Sequence, residues 1–563
     1  MLKTENSRLT FFSWFAVFIF CLMGAKVVYL QTAQNDFYAG KATRQSKGVM
    51  ESTKGRGLIL DANGSPLALN KKSASLYVFP EELKNRQAFI DRLRREGIKI
   101  SAGKKRRIMN GKGFVWITRN VEVADAKRIQ EEIPEIEYVL EEQRFYPERK
   151  LAASIVGFTG IDNEGLNGVE YRYNDVLEGS KFQLLAMRDN KGKRIIFEDP
   201  QKKKDVDTVV YLTIDEYLQG LSEEILRQDT AEFMADKGMA IAMDAQTGEI
   251  IFAASSGGFD PNEFRKSPQS EWKNYPASFL YEPGSIFKPV LFSLLLDKHN
   301  LNTNRAIDCE NGMYTLYGHT IKDVSKSGIL SVEQVLIKSS NIGMVKLSDG
   351  ISKKEFYEYI KSLGFGDKTG ISGVIEEEGL VRNYKRWSGL SKPSISIGQE
   401  ILVTPLQMVR FYGAIANGGM LMNPKIVKKV EKGGETFTPK NKEERVFSEA
   451  TAKRIQGLLE KVVKEGTGKN AYSDYVEIGG KTGTGQRIDT ETGTYSKTGY
   501  VASFAGVFPA DNPKIAMVVV YKEPKSSIYG GVTAARTFRS LAEQVSMHLG
   551  LKRSYVYESV PTS

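Results

Sequence analysis

The chain has 563 residues, 41% hydrophobic and 26% charged, enough for roughly two to four domains with real cores, and this excludes disordered and fibrous classes. Lys plus Arg number 79 against 68 Asp plus Glu, and the formal net charge of +11 suits a surface working beside anionic polymers, whether nucleic acid, lipid headgroups or wall glycans. Three histidines (His299, His319, His548) and two cysteines (Cys21, Cys309) all but exclude zinc clusters and leave no material for cysteine-pair redox chemistry. Unless one of those three histidines serves, a nucleophile must be activated by something else.

Residues Phe11 to Ala25 form an uncharged, mainly apolar run that Val27 to Leu30 extends past Lys26. Twenty helical residues reach about 30 Å, the thickness of a hydrocarbon core. Lys3 and Arg8 precede the run and place the N-terminus in the cytoplasm, with everything after about Gln31 outside the inner membrane. A cleaved secretory signal is the rival, since Met23-Gly24-Ala25 offers small residues. The length of the run and its resumption after Lys26 favour a retained anchor. Cys21 follows Phe20, where a lipoprotein signal wants a small residue, and with Cys309 outside the membrane no intrachain disulfide is expected. The clusters Lys104 to Arg107 and Lys202 to Lys204 read as solvated loops with no nucleic-acid module around them, so no nucleic-acid partner is expected.

From 32 to 230, short strand-like stretches alternate with charged helices and glycine turns, as at Gly57 to Asp61 before Asn63-Gly64 and at Val209 to Thr213. An amphipathic helix is predicted over Tyr217 to Lys237, then a hairpin of Met239 to Asp244 and Glu249 to Ala253. The stretch from about Ser285 to Val463 reads as mostly helical. Strands are predicted at Tyr475 to Ile478, Val501 to Phe508 and Ile515 to Tyr521, and a closing helix from Val532 to about Leu549. Two early strands and three late ones with helices between describe an α+β domain around an antiparallel sheet.

Three short patterns carry the chemistry, and each occurs where context must choose. Ser-x-x-Lys appears at Ser101–Lys104, Ser270–Lys273 and Ser285–Lys288; Lys-Thr-Gly begins at Lys368, Lys481 and Lys497; Ser-x-Asn occurs once, at Ser339-Ser340-Asn341. Pro283-Gly284 reads as a helix entry that puts Ser285 in or near a first turn, where unpaired N–H groups favour negative charge on its oxygen. Lys288 lies on the same face, and a lysine withdrawn from water beside another cation can act as general base. The other two Ser-x-x-Lys copies read as surface residues. Lys481-Thr482-Gly483-Thr484 follows the strand at 475–478. There Gly483 would let a substrate backbone approach, and Lys481 with the Thr482 and Thr484 hydroxyls could hold a carboxylate. The Lys368 copy reads as a structural turn and the Lys497 copy as a polar loop. Taken singly, Ser339 and Asn341 are capping residues. As the only Ser-x-Asn, between the chosen serine and the chosen Lys-Thr-Gly, they complete the signature shared by penicillin-binding proteins and related β-lactamases.

On these residues the chain resembles the class B penicillin-binding proteins, the membrane-anchored peptidoglycan transpeptidases. Further likeness lies in Arg56 to Gly64 (with Ala62 where arginine is more usual), Arg144 to Pro147, Gly165 to Glu170, Gly398-Gln399, Thr404 to Gln407 and Ala416 to Gly419. The form of Tyr281 to Lys288, the Tyr529-Gly530-Gly531 segment and the lack of a C-terminal appendage look most like the division-specific FtsI type. The resemblance implies a cytoplasmic tail at 1–10, an anchor at 11–31, an elongated pedestal of the dimerisation type at 32–230, a transpeptidase domain with a five-stranded antiparallel sheet at 231–552, and a tail at 553–563. It implies that Ser285 attacks a D-Ala-D-Ala stem peptide with Lys288 as base, that Ser339 relays a proton near Lys481, and that Asn341 holds the substrate amide. Thr482 and Thr484 would bind the terminal carboxylate, and the backbone N–H groups of Ser285 and Thr484 would form the oxyanion hole. An amine from a neighbouring stem peptide would then close the cross-link, and penicillin would acylate the same serine. No metal or organic cofactor is implied. The partners implied are the membrane, a polytopic glycosyltransferase and other division proteins, and the anchor aromatics Phe11, Trp14, Phe15 and Phe18 face either such a partner or lipid. An elongation-type transpeptidase, a carboxypeptidase or β-lactamase, and a non-catalytic division scaffold remain the alternatives.

Overall fold

The computed structural model describes residues 2–32, 34, 49–111, 113–188, 194–198, 207–488 and 495–551. The Lys202 to Lys204 cluster lies outside the described residues. The chain forms two compact units, one of 1–54, 71–143 and 179–205, the other of 55–70, 144–178 and 206–563.

The first unit contains the N-terminal helix Leu2–Thr32, whose segment Phe11–Tyr29 is long and apolar enough to cross a membrane and is not buried against the rest of the chain. It also contains a three-stranded antiparallel sheet of Val49–Lys54, Ser180–Arg188 and Arg194–Glu198. A small core forms where the end of strand Pro66–Val78 pairs with Val115–Val121 and Glu137–Phe145, with helices Arg86–Arg95, Ala102–Asn110 and Val123–Glu132 packed through Phe89, Leu93, Ile108 and Ile129. The basic cluster Lys104 to Arg107 is helical here, where a loop was expected. Ser101 caps the helix by accepting the Lys104 N–H, and Lys104 and Arg107 donate to the carbonyls of Ile117 and Phe114.

The second unit is built on a five-stranded antiparallel sheet. Its elements in chain order are helix α1 (Glu216–Glu232), strands β1 (Lys237–Asp244) and β2 (Ile250–Ser255), helices α2 (Lys288–Lys298), α3 (Asn341–Ser348), α4 (Pro405–Ala416) and α5 (Glu449–Lys464), strands β3 (Gly479–Ile488), β4 (Tyr495–Phe508) and β5 (Ile515–Lys522), and helix α6 (Ala534–His548). The strand order is β2-β1-β5-β4-β3, which leaves β3 at an edge. Alternation sets the layers: Met239, Ile241, Met243, Val518 and Val520 join the core under α2, α4 and α5, while Ala240, Ala242, Val519 and Tyr521 join a second core under α1 and α6. A second sheet brings Leu58–Leu60, Thr208–Leu212, Val427–Lys432 and the start of Pro66–Val78 together.

Three expectations are corrected here. The α1 helix stops at Glu232 because Met234 takes a left-handed conformation (φ 49°) and the Met234 and Ala235 N–H groups fold back onto the carbonyls of Ala231 and Thr230. Residues 475–478 are a loop: the Tyr475 and Val476 N–H groups go to the Ser473 hydroxyl, and the apolar side chains that suggested a strand are simply buried in the core. The strand begins at Gly479, so Lys481 to Thr484 lie within it rather than after it. Lys497 belongs to β4, not to a polar loop.

Candidate active site

Ser285 stands in a one-turn 3-10 helix, Gly284–Phe287, that runs directly into α2. The segment leading into it is clamped along residues 398–403. Tyr281 and Val403 exchange N–H···O bonds of 3.1 and 3.0 Å, Glu282 Oε1 accepts the Glu400 N–H, and the Gly284 N–H donates to Gly398 O at 2.9 Å. From α4, whose start is fixed by a Thr404/Gln407 capping box with Pro405 at its first position, the buried Tyr412 hydroxyl donates to Ile286 O. Gly284 is required twice over: its φ is +56°, and a Cβ there would stand 2.7 Å from Thr484 O. The serine turn thus seats against the edge strand at Thr484.

Gly483 serves the same contact. The space its side chain would take is filled by Pro283 O and Ser503 Oγ, so its lack of a Cβ lets β3 approach the serine turn, where the sequence suggested room for a substrate backbone. In register with Ala505, Phe504, Ser503 and Ala502, the run Lys481 to Thr484 lies along the open side of the sheet. Thr482 Oγ1 shares a hydrogen bond with Thr467 Oγ1 at 2.8 Å.

Ser339 and Asn341 come to the same place from the opposite side. Ser340, not either of them, caps α3 by accepting the Gly343 N–H, which releases its neighbours from the capping role. Ser339 is held at φ +60°, a strained conformation for a residue with a side chain. Lys288 Nζ, fully buried, donates to Ser339 O (2.7 Å) and Asn341 Oδ1 (2.8 Å) and lies 3.2 Å from Ser339 Oγ. Lys481 Nζ, also fully buried, donates to Ser339 Oγ at 2.8 Å. One hydroxyl therefore bridges two lysines. Burial brings the Lys288 ammonium down to about 7, partly opposed by the Asp323 carboxylate. Burial, and then the Lys288 charge, hold Lys481 well below the usual lysine range. Two neighbouring buried ammoniums without an adjoining counter-ion for each favour the release of one proton. The two strong acceptors of Lys288 match the two N–H donors of a neutral amine, and its remaining neighbour, the Ser339 hydroxyl, can either give or take a proton. Among the described residues, no hydrogen bond joins the Ser285 hydroxyl to Lys288.

Ser285, Ser339, Asn341, Thr482, Gly483 and Thr484 all line one groove of about 140 Å³. All eight residues selected from the sequence are gathered here. The groove is also lined by Thr467, Val324, Ser325 and Gln399, which the sequence did not single out as site residues. Only Gln399 gave a signal, as part of the Gly398-Gln399 pair. The rival Ser-x-x-Lys copies are elsewhere on the surface, with Ser101, Ser270 and Lys273 exposed, and the Lys368 copy is a turn in which the N–H groups of Thr369 and Gly370 donate to Glu376.

The sequence segments near Arg56, Arg144 and Glu170 also converge. Glu170 is buried between two buried arginines, with Arg56 Nε at 2.7 Å and Arg144 Nε at 2.5 Å, and the Tyr146 hydroxyl adds a bond at 3.3 Å. This cluster is structural and belongs to the same compact unit as the groove.

A serine turn, two buried lysines bridged by a second serine, and a Lys-Thr-Gly edge strand match the signature of a serine acyl-transfer enzyme of the penicillin-recognising kind. Residues 238–543 match the penicillin binding protein transpeptidase domain, and residues 51–210 match the penicillin-binding protein dimerisation domain. The chain is 31% identical over 584 residues to stage V sporulation protein D of Bacillus subtilis (98% of this chain, 87% of that protein). It is 30% identical over 560 residues to the peptidoglycan D,D-transpeptidase FtsI of Escherichia coli K12 (96% and 92%). Its fold is similar to that of penicillin binding protein 3 from Mycobacterium tuberculosis in complex with aztreonam, with TM-score 0.71, 25% identity, and 90% of this chain and 98% of that one covered. The chain belongs to the class B penicillin-binding proteins and is a peptidoglycan D,D-transpeptidase.

Proposed function

We propose that Ser285 is the acylated residue and that the groove cross-links stem peptides of septal cell wall. The observation that carries this assignment is the single Ser339 hydroxyl placed between two buried lysines at the groove that Ser285 and Thr484 line. Ser285 Oγ attacks the carbonyl of the penultimate D-Ala while Lys288, as neutral amine, takes its proton. The Ser285 and Thr484 backbone N–H groups receive the developing oxyanion. Lys481 and the Thr482 and Thr484 hydroxyls hold the terminal carboxylate, whose charge restores proton affinity to Lys481, and Asn341 holds the substrate amide. The proton passes through Ser339 to the departing D-Ala amine, so that one C–N bond breaks as one C–O ester bond forms. An acceptor amine from a second stem peptide then displaces Ser285. Penicillin acylates the same oxygen by opening its lactam amide.

The exposed apolar helix Phe11–Tyr29 supports a single membrane anchor with a cytoplasmic N-terminus, and the lysine and arginine before it support that orientation. The family matches at 51–210 and 238–543 support a pedestal over 32–230 and a transpeptidase domain over 231–552. Likeness to the FtsI relative supports the division branch, with a polytopic glycosyltransferase and other division proteins as partners. The full chain, given a pentapeptide donor and an amine acceptor, is expected to release D-Ala in step with cross-linked product. Release of D-Ala without product would make it a carboxypeptidase, and no release from folded protein would leave a scaffold.

A further inference from the structure

Behind the Ser339-Ser340-Asn341 turn stands an acidic residue with no place in the sequence signature. Asp323 closes the hairpin of Met313–Leu316 and His319–Lys322, whose two strands pair antiparallel. Its Oδ1 accepts the Asn341 N–H at 2.5 Å and the Ile342 N–H at 3.0 Å, and its Oδ2 accepts the Ser340 hydroxyl at 2.6 Å. The same hairpin takes the Asn341 side chain, whose Nδ2 donates to Lys322 O at 2.9 Å while its Oδ1 faces Lys288. One carboxylate thus binds two first-turn N–H groups of α3, where negative charge is favoured, and fixes the cap residue as well. With Ser340 and Asn341 tied down, Ser339 has little freedom to leave its strained backbone conformation, and its hydroxyl stays between the lysines.

We propose that Asp323 is a positioning residue of the acyl transfer, holding Ser339 and Asn341 in reactive geometry, with its negative charge bound to the same Asn341 that accepts from the Lys288 amine. The proposal rests on Ser285 and Lys288 being the nucleophile and base. Burial lowers the proton affinity of Lys288 and the Asp323 charge from the hairpin raises it, while the Lys288 charge in turn lowers that of Lys481 on β3. Cys309 lies on the far side of the turn, 3.3 Å from the Ser340 hydroxyl, and also feels the Asp323 charge. Neutralising Asp323 without removing its acceptor oxygen therefore leaves Lys288 with less support for its proton, and Lys288 becomes a free base at lower pH.

The test is the pH profile of acylation of the full chain in detergent by a fluorescent penicillin, from about pH 5 to about pH 9, for wild type, Asp323→Asn and Asp323→Glu. Asp323→Asn is expected to acylate more slowly at its plateau, with its acid limb displaced to lower pH by roughly half a unit to one unit. Asp323→Glu keeps the charge while moving the oxygens, so it is expected to be slower with the acid limb at the wild-type position. A purely structural residue would lower the plateau in both and move neither limb. An Asp323→Asn limb at or above the wild-type position overturns the proposal, and so does an Asp323→Glu limb that moves down with it. Should Asp323→Asn not fold, Asp323→Ser, also neutral and still offering an acceptor oxygen, takes its place, and its acid limb is read by the same criterion. If wild type itself is not acylated, the assignment of Ser285 and Lys288 fails and takes this proposal with it.

Discussion

The state of Lys288 makes the rate of acylation a titration. A base must be deprotonated to accept the Ser285 proton, and burial brings Lys288 to about 7. Below that value the ammonium form predominates and the usable fraction falls about tenfold per pH unit. Acylation by penicillin is therefore expected to be about tenfold slower near pH 6 than near pH 8, and about a hundredfold slower near pH 5. An exposed lysine would place the same limb near 10.4, more than three pH units higher, and the burial of Nζ in the core accounts for the difference. The assay is the second-order rate of labelling by a fluorescent penicillin, with circular dichroism at each pH to show that the fold persists. A rate that stays flat from pH 8 to pH 5, or rises as the solution is acidified, would refute Lys288 as the base.

Two further substitutions test how the site is held. Glu170→Gln leaves the buried guanidinium groups of Arg56 and Arg144 without their shared anion and is expected to lower unfolding free energy by about 3–5 kcal/mol in urea titrations. A loss below about 1 kcal/mol would show that the cluster contributes little. Gly284→Ala puts a methyl group 2.7 Å from Thr484 O on a backbone at φ +56°, a conformation that costs a side-chain-bearing residue about 1–2 kcal/mol. Labelling is expected to drop at least about tenfold with secondary structure retained, because the serine turn is pushed off the edge strand, and unchanged labelling would contradict that seating.

The sequence made the site legible because its groups are short-range patterns whose partners are other short-range patterns. Ser285–Lys288, Ser339–Asn341 and Lys481–Thr484 each sit within one turn or strand, and the scarcity of histidine left lysine as the economical base. The central sheet was legible where a continuous apolar run ends at turn residues, as in β1 and β5. It was illegible at β3, where Gly479, Gly480, Gly483 and Gly485 carry no strand signal and backbone pairing with β4 decides the matter. The buried side chains of Val476 and Ile478 drew the expected strand four residues too early. Asp323 was out of reach for a different reason. Its partners lie 17–19 residues along the chain and are mostly backbone N–H groups, which leave no trace in residue type. The fit of Gly284 against Thr484 is likewise a long-range contact that spacing alone does not reveal.

The central claim, that Ser285 is the residue acylated in this groove, is tested most directly by intact-protein mass of the full chain after incubation with penicillin, with Ser285→Ala beside it. A lasting mass increase of one penicillin, mapped to the peptide containing Ser285 and missing from the folded variant, is the predicted result. An adduct that persists in Ser285→Ala, or no adduct on folded wild-type protein, would contradict it.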